Sequence, residues 1–459
     1  MFVVKKIFFL YFSGNFVYIC KTINHNYMMN MKFTSIILAL SLSMPALAQD
    51  KALYDFVVPR DGSFREALSA ASNRKDKDTR FRIFVMQGEY VIPTEGTTTG
   101  GDGNQYGDPR SYLKAPNTSI IGEDRDNTVI MNTVPPATWN NGFGKANPLE
   151  GIGQGDVLII EKRCNNTYLQ DITMKNAMED NTGRNIVLHD KSDKTIAKNI
   201  CIWGFQDTYV SDNQIGRYYF EGGVIRGRTD YICGKGDVVF NEVKFQQCGK
   251  GGYLAVPSVP RKYGYVMFNC HIAFETPDVT YYLGRPWGKG TPRAIWLNTK
   301  VDGGPITGGK KGHNGWTDMS GGWPALFTEY NTTMSTTGEK LDLTQRRSIY
   351  TDNDGVQHSN APFLTEAEAN HYNIPKIFEA WEAQNDTKEA TEPSNVKLDA
   401  NGLSWTGSDD ALLYAIVKNG KVVDFTIETS YKTKGAKTDK WAVRAANKMG
   451  GLGKAIEAK

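Results

Sequence analysis

From residue 80 to 275 the chain is a succession of short β-prone runs, each closed by Asn, Gly or Asp. Examples are "NNTYLQDITMKN", "KNICIWGF", "RYYFEGGVIRG", "DVVFNEVKFQQC" and "GYVMFNCHIAF". Aligned on Leu169, Ile200, Phe220, Phe240 and Phe268, they recur at steps of 31, 20, 20 and 28 residues. Imperfect self-similarity at such a period marks a solenoid, whose units cannot bury their apolar faces alone and must stack on one another. Each unit offers three short strands and no helix. The expected fold is therefore all-β, a parallel β-helix whose coils lie about 4.8 Å apart. An antiparallel sandwich is the alternative, but it calls for hairpin turns at tighter and more regular spacing.

The chain changes character at both ends. "MKFTSIILALSLSMPALAQD" from Met31 reads as an export signal: Lys32, an apolar stretch from Ile36 to Leu42, then Ala46-Leu47-Ala48 as a small-residue cleavage site. Residues 1–48 are assigned to this signal region, with Met31 as the true start and Gln49 as the mature one. A membrane anchor in the first thirty residues is the rival reading. No later segment is apolar enough to span a bilayer, so the mature chain is expected in the periplasm or outside a bacterial cell. Helical periodicity is scarce until about residue 365, where "FLTEAEANHYNIPKIFEAW" begins. Residues 49–385 form the expected solenoid domain, and the acidic, Pro-containing stretch 386–394 a linker. Residues 395–459 alternate in polarity around an Asn419-Gly420 hairpin turn. They resemble a small fibronectin type III-like sandwich, an accessory module without chemistry of its own.

Charge and cysteine content narrow the partners. The formal charge of +3 includes Lys5, Lys6, Lys21 and Lys32 and no acid in the first 48 residues, leaving the remainder at −1. Nothing in that balance suggests nucleic acid. Five Cys remain after cleavage (Cys164, Cys201, Cys233, Cys248 and Cys270), an odd number without a C-x-x-C pair. That pattern argues against a disulfide framework and a zinc site, and for buried free thiols.

Two acids stand out against this background. Asp207 in "WGFQDTYV" and Asp230 in "RTDYICGKG" are separated by 23 residues, about one coil. On the same face of adjacent coils their carboxyls repel, so one holds its proton and the other ionises. The plainer reading is that each Asp caps backbone amides in a turn. Arg285, in "YYLGRPWGKG", precedes a proline and so favours an extended backbone. It can pair bidentately with an Asp, and Trp287 offers an aromatic face to a sugar. Alone, these two are a solvated Arg and a packing Trp.

Taken in order, "GFQDTYV", "TDYICG" and "YLGRPWG" resemble three signature segments of carbohydrate esterase family 8, the pectin methylesterases, whose versions read approximately GFQDTL, VDFIFG and LGRPW. Further echoes run from "GEYV" at 88–91 to "FLTEAEANHY" at 363–372, so the resemblance covers roughly residues 55 to 382. It implies a right-handed parallel β-helix acting on methyl-esterified homogalacturonan or a pectic oligosaccharide. It implies a monomer without metal or organic cofactor. Carried over position by position, Asp230 matches the nucleophile, Asp207 the general acid, Gln206 an oxyanion donor, Arg285 the guanidinium that aims Asp230, and Trp287 a stacking aromatic. Tyr209 falls where a subsite is shaped. The family's second oxyanion Gln, 23 residues before the acid, is replaced by Arg184 of "RNIVL". The favoured reading of Arg184 is a substrate or oxyanion contact, and the other is a salt bridge to one of the acids.

Two other classes remain in view. A calcium-dependent lyase on the same fold needs more clustered acids than Asp207 and Asp230. A non-catalytic carbohydrate-binding solenoid has no need of Gln206, Asp207, Asp230 and Arg285 together. No G-x-S-x-G or H-E-x-x-H segment occurs, which disfavours a serine hydrolase and a zinc protease.

Overall fold

The computed structural model describes residues 54–99, 105–132, 155–177, 184–249, 251–275, 281–302, 315–434 and 438–459, with the backbone of 11–12 and 15–16. The expected export signal lies outside the described residues. Among those described, no helix is long and apolar enough to cross a membrane.

Three long parallel sheets dominate. Among the described residues one has ten strands, from Phe56–Val58 to Leu326–Tyr330. A second has nine, from Gly88–Ile92 to Thr333–Met334, and the third has seven, from Ser111–Leu113 to Tyr281–Gly284. The chain visits them in rotation, one strand of each per coil. Thr195–Lys198, Cys201–Trp203 and Tyr209–Ser211 make one turn of the solenoid; Arg217–Glu221, Val224–Gly227 and Ile232–Gly234 make the next. This is a three-sheeted parallel β-helix.

One corner is uniform. Between the ten- and nine-stranded sheets two residues make every turn from Asp171-Ile172 to Asn331-Thr332. The first of the two lies in the left-handed region at Asp171, Asn199, Glu242, Asn269, Asn298 and Asn331, and Gly222 takes that place in its coil. Asn and Gly tolerate this backbone best. Several of these side chains bond to each other up the stack, as Asn331 does to Asn298 at 2.9 Å. The second turn residue points inward: Ile172, Ile200, Val243 and Cys270 are all buried.

That corner explains where the sequence alignment slips. Phe220 does face Phe240, but Leu169 stacks on Ala197 and Phe240 on Met267. Ile200 is a turn residue and Phe268 lies one place further along its strand. The five cysteines are free and buried, behaving as small apolar fillers.

Inside, Phe240 stacks on Phe220 with centroids 5.0 Å apart and meets Phe245 edge-on at 5.4 Å. Phe240→Ala is expected to cost about 3–5 kcal/mol of stability, read in urea as a lower midpoint with an unchanged slope. The N-terminal end of this core is closed by an element the sequence reading does not anticipate, a helix over Phe64–Asn73 that buries Phe64, Ala67, Leu68 and Ala71. Ser63 and Glu66 form its capping box, and that S-x-x-E signature was legible.

The C-terminal residues do form two antiparallel sheets. One holds Ser394–Asp399, Gly402–Thr406 and Ser430–Tyr431; the other Lys421–Thr426, Leu413–Lys418, Trp441–Ala446 and Ile456–Glu457. Trp405, Tyr414, Ile416, Trp441 and Val443 fill the space between them. The expectation of a tethered module does not hold. Leu413, Ala415, Val422, Phe425 and Met449 share one apolar cluster with Phe84, Ile121 and Tyr168 of the ten-stranded sheet. Glu123, buried, accepts the Val422 amide at 2.6 Å, and Arg444 donates to the Glu123 carbonyl at 2.8 Å. The stretch read as a linker is laid on the solenoid too: Thr387 is buried, donates to Glu221 at 2.8 Å and accepts from Lys198 at 2.7 Å.

Candidate active site

The corner between the nine- and seven-stranded sheets varies in length from coil to coil, and it holds Asp207 and Asp230. Gly204 to Thr208 link two strands of one coil, and Arg228 to Tyr231 do so in the next. Tyr209 lies opposite Ile232, which sets Asp207 opposite Asp230. The ladder continues through the corner, with the Arg228 amide donating to the Phe205 carbonyl at 2.6 Å and the Asp207 amide to the Thr229 carbonyl at 3.3 Å. The two acids are thus held roughly 4.8 Å apart by stacked backbone. Both occupy the left-handed region, with φ of 56° and 51°, a conformation costing about 1 kcal/mol or more that clusters at functional sites. They stand in corner turns, not on a strand face.

Arg285 reaches only one of them. Its Nε and Nη2 donate to the two oxygens of Asp230 at 3.1 and 2.7 Å. Three features aim it. Its backbone amide donates to the Ala255 carbonyl at 3.1 Å. Gly284 passes so close to that carbonyl that a Cβ would collide with it. The guanidinium also lies 3.8 Å over the Tyr253 ring, which stacks in turn on Tyr282. Burial pushes the Asp230 carboxyl above the ordinary carboxylate range, and Arg285, the chief force opposing that rise, does not fully cancel it. Asp207 is pushed up to about 7, first by burial and then by the negative charge of Asp230. The Cys233 thiol and Arg184 oppose that rise.

Gln206 and Trp287 join the acids around one pocket, with Val256, Cys233 and Met319 as its apolar walls. Trp287 is 41% exposed, with its indole available to a ligand. The Gln206 Oε1 is buried without a partner among the described residues.

Two expectations need correction. Tyr209 is no subsite residue: it is fully buried, its ring packing edge-on to Phe220 at 4.7 Å. Strand alternation turns Tyr209 and Ser211 inward and presents Val210, which clusters with Ile186, Cys233 and Val256 along the groove. Arg184 is found in its second reading, with Nε 3.2 Å from Asp207 Oδ2. Although 23 residues separate it from Asp207, as they separate Asp207 from Asp230, Arg184 is not in register with the acid. Instead Leu188 lies opposite Tyr209, so Ile186 holds the place beside Asp207 and Arg184 reaches across.

Sequence reasoning also passed over Arg226. It sits 4.2 Å over Trp203 and 4.8 Å over Phe205, donates to the Gly204 carbonyl at 3.1 Å, and pairs with Glu275 at 2.6 Å. It clamps the turn that carries Gln206 and Asp207. Its place beside two aromatic residues emerges only once the coils are stacked.

A pectinesterase family model matches residues 117–367, more than half of the chain. The chain belongs to the pectinesterase family. Pectinesterase B of Dickeya dadantii is 26% identical over 316 residues, covering 58% of this chain and 69% of that one. An Arabidopsis thaliana protein, "Probable pectinesterase/pectinesterase inhibitor 42", is 24% identical over 255 residues, or 52% of this chain and 42% of its own length. The pectinesterase-family chain thus spans under half of that plant relative. Among solved structures, a pectin methylesterase from Yersinia enterocolitica superposes with a TM-score of 0.51 at 20% identity, over 70% of this chain and 99% of the other. Pectin methylesterase PemA from Erwinia chrysanthemi gives 0.50 at 19%, over 72% and 98%. The shared fold is the right-handed parallel β-helix.

Proposed function

We propose that this chain hydrolyses the C6 methyl esters of galacturonate residues in pectin, releasing methanol and leaving free carboxylates. The observation that carries this reading is the asymmetry of two stacked acids: Arg285 binds both oxygens of Asp230 and opposes the rise that burial gives its carboxyl, whereas Asp207 lacks that bidentate partner and is pushed up to about 7. Such a division suits one carboxylate to attack and one carboxylic acid to donate.

An oxygen of Asp230 attacks the ester carbonyl carbon, and the negative charge moves to the carbonyl oxygen, to which the side-chain amide of Gln206, a lining residue of the same pocket, donates. A single donor of this kind is worth about 2.7–4 kcal/mol in the transition state. As the C–O bond to the methoxy group breaks, Asp207 gives that oxygen its proton and methanol leaves. The product on the enzyme is a mixed anhydride with Asp230. Water then attacks the galacturonyl carbon while the ionised Asp207 takes its proton. Asp230 departs as carboxylate, and both acids return to their starting states. Trp287 supplies a face for a sugar ring beside the reacting group.

The substrate is methyl-esterified homogalacturonan or a pectic oligosaccharide, and the enzyme acts as an exported monomer. Membership of the pectinesterase family and the likeness to pectin methylesterases support this reading of the substrate. The acid step needs protonated Asp207, so activity is expected to fall as pH rises through about 7, as a methanol-release profile will read. The direct test is methanol release from highly methylated pectin by the chain from Gln49 onward. If neither pectin nor short methylated oligogalacturonides yield methanol, the proposal fails.

A further inference from the structure

This inference rests on the esterase reading. Arg184 brings a full positive charge to a centre that already holds one in Arg285. Its Nε stands 3.2 Å from Asp207 Oδ2, and its side chain is 39% exposed against 13% for the acid. The cation therefore covers the groove side of the buried carboxyl. Few charged or titratable groups face Asp207: Arg184 from the preceding coil, Asp230 and the Cys233 thiol from the following one, and Arg285 from beyond them. Asp230 is engaged by Arg285 through both of its oxygens. The two guanidiniums thus divide the two acids between them. A neutral amide at position 184 would hydrogen-bond to Asp207 without favouring either of its charge states.

The geometry points to Arg184 as a positioning residue that sets the upper pH edge of the reaction, by holding the general acid Asp207 beside a fixed positive charge. Methanol departs only when Asp207 carries its proton. A cation at ion-pair distance stabilises the ionised form, so the proton is lost at a lower pH than burial and Asp230 alone would dictate. Taking the cation away lets Asp207 keep its proton further into the alkaline range. An opposite charge this close moves a carboxyl by about 1–3 pH units. Partial exposure of Arg184 screens the pair and places the effect at the low end, about one unit.

The test compares kcat/KM against pH for the parent, Arg184→Gln and Arg184→Lys, alongside the carboxyl titration of Asp207 by NMR in ¹³C-aspartate-labelled proteins. The readout is the position of the alkaline limb. Arg184→Gln is expected to move it up by about one pH unit, and Arg184→Lys, which keeps the charge, to leave it near the parent's. A limb that stays put in Arg184→Gln overturns the inference and returns Arg184 to the role of a substrate or oxyanion contact. If the parent releases no methanol at any pH, the esterase reading falls on its own. The titration then decides the pairing: an Asp207 carboxyl that titrates alike in parent and Arg184→Gln overturns it, and one that shifts upward sustains it.

Discussion

Replacing Asp230 by Asn is expected to abolish methanol release, with a loss of at least about a thousandfold in kcat, as befits removal of a nucleophile. The amide keeps the side chain's shape but has neither the negative charge nor the lone-pair basicity to form the anhydride. It also leaves Arg285 facing a group that can accept only one of its two hydrogen bonds. Buried ion pairs broken on one side lose about 3–5 kcal/mol. Arg285 nevertheless retains its place over Tyr253, so the fold should survive with a modest fall in Tm. The check is a single-turnover methanol assay next to circular dichroism. A folded Asp230→Asn protein that still turns over would remove Asp230 from the nucleophile's role.

Ending the chain at Asp386 should have the larger effect on stability. Without the sandwich, Phe84, Ile121 and Tyr168 on the ten-stranded sheet and the neighbouring Tyr54 all face water. At about 1.5–3 kcal/mol for each side chain, their exposure costs on the order of 10 kcal/mol. That is the whole margin by which an ordinary domain is folded. Glu123 would also lose its Val422 partner. The shortened chain is therefore expected to aggregate or to lose its cooperative thermal transition. A dispensable accessory module would leave Tm where it was, and that result would refute the bracing role. Phe425→Ala is the milder form of the same test. Its ring meets Tyr54 at 4.8 Å and Phe84 at 4.9 Å. Being only partly buried, it should cost about 2 kcal/mol, below the range for a fully buried Phe.

The parts legible in the sequence were those set by local spacing. Asp207 and Asp230 could be paired because one coil here is 23 residues long, and the structure's register agrees. Arg285 could be placed because Gly284 and Pro286 fix its backbone. The ion pair of Arg184 with Asp207 was one of two open readings because the coil before is two residues shorter, a length carried by no residue signal. Tyr209 was misassigned for a different reason. Its place next to the catalytic turn suggested exposure, whereas strand alternation sends it into the core. The docking of the sandwich was illegible because it depends on two apolar faces meeting across hundreds of residues. Arg226 was missed because its aromatic partners lie one coil away.

The three corners of each coil also differ in what they permit to change. The asparagine corner spends two residues every time and fixes the pitch, so the backbone ladder acts as a ruler whose marks are Asp207 and Asp230. Their separation is built from peptide geometry and owes nothing to the reach of a side chain. Residues around the corner that holds the acids, such as Arg184, Val210 and Cys233, can then differ in kind and alter the walls of the groove while the distance between Asp207 and Asp230 stays the same.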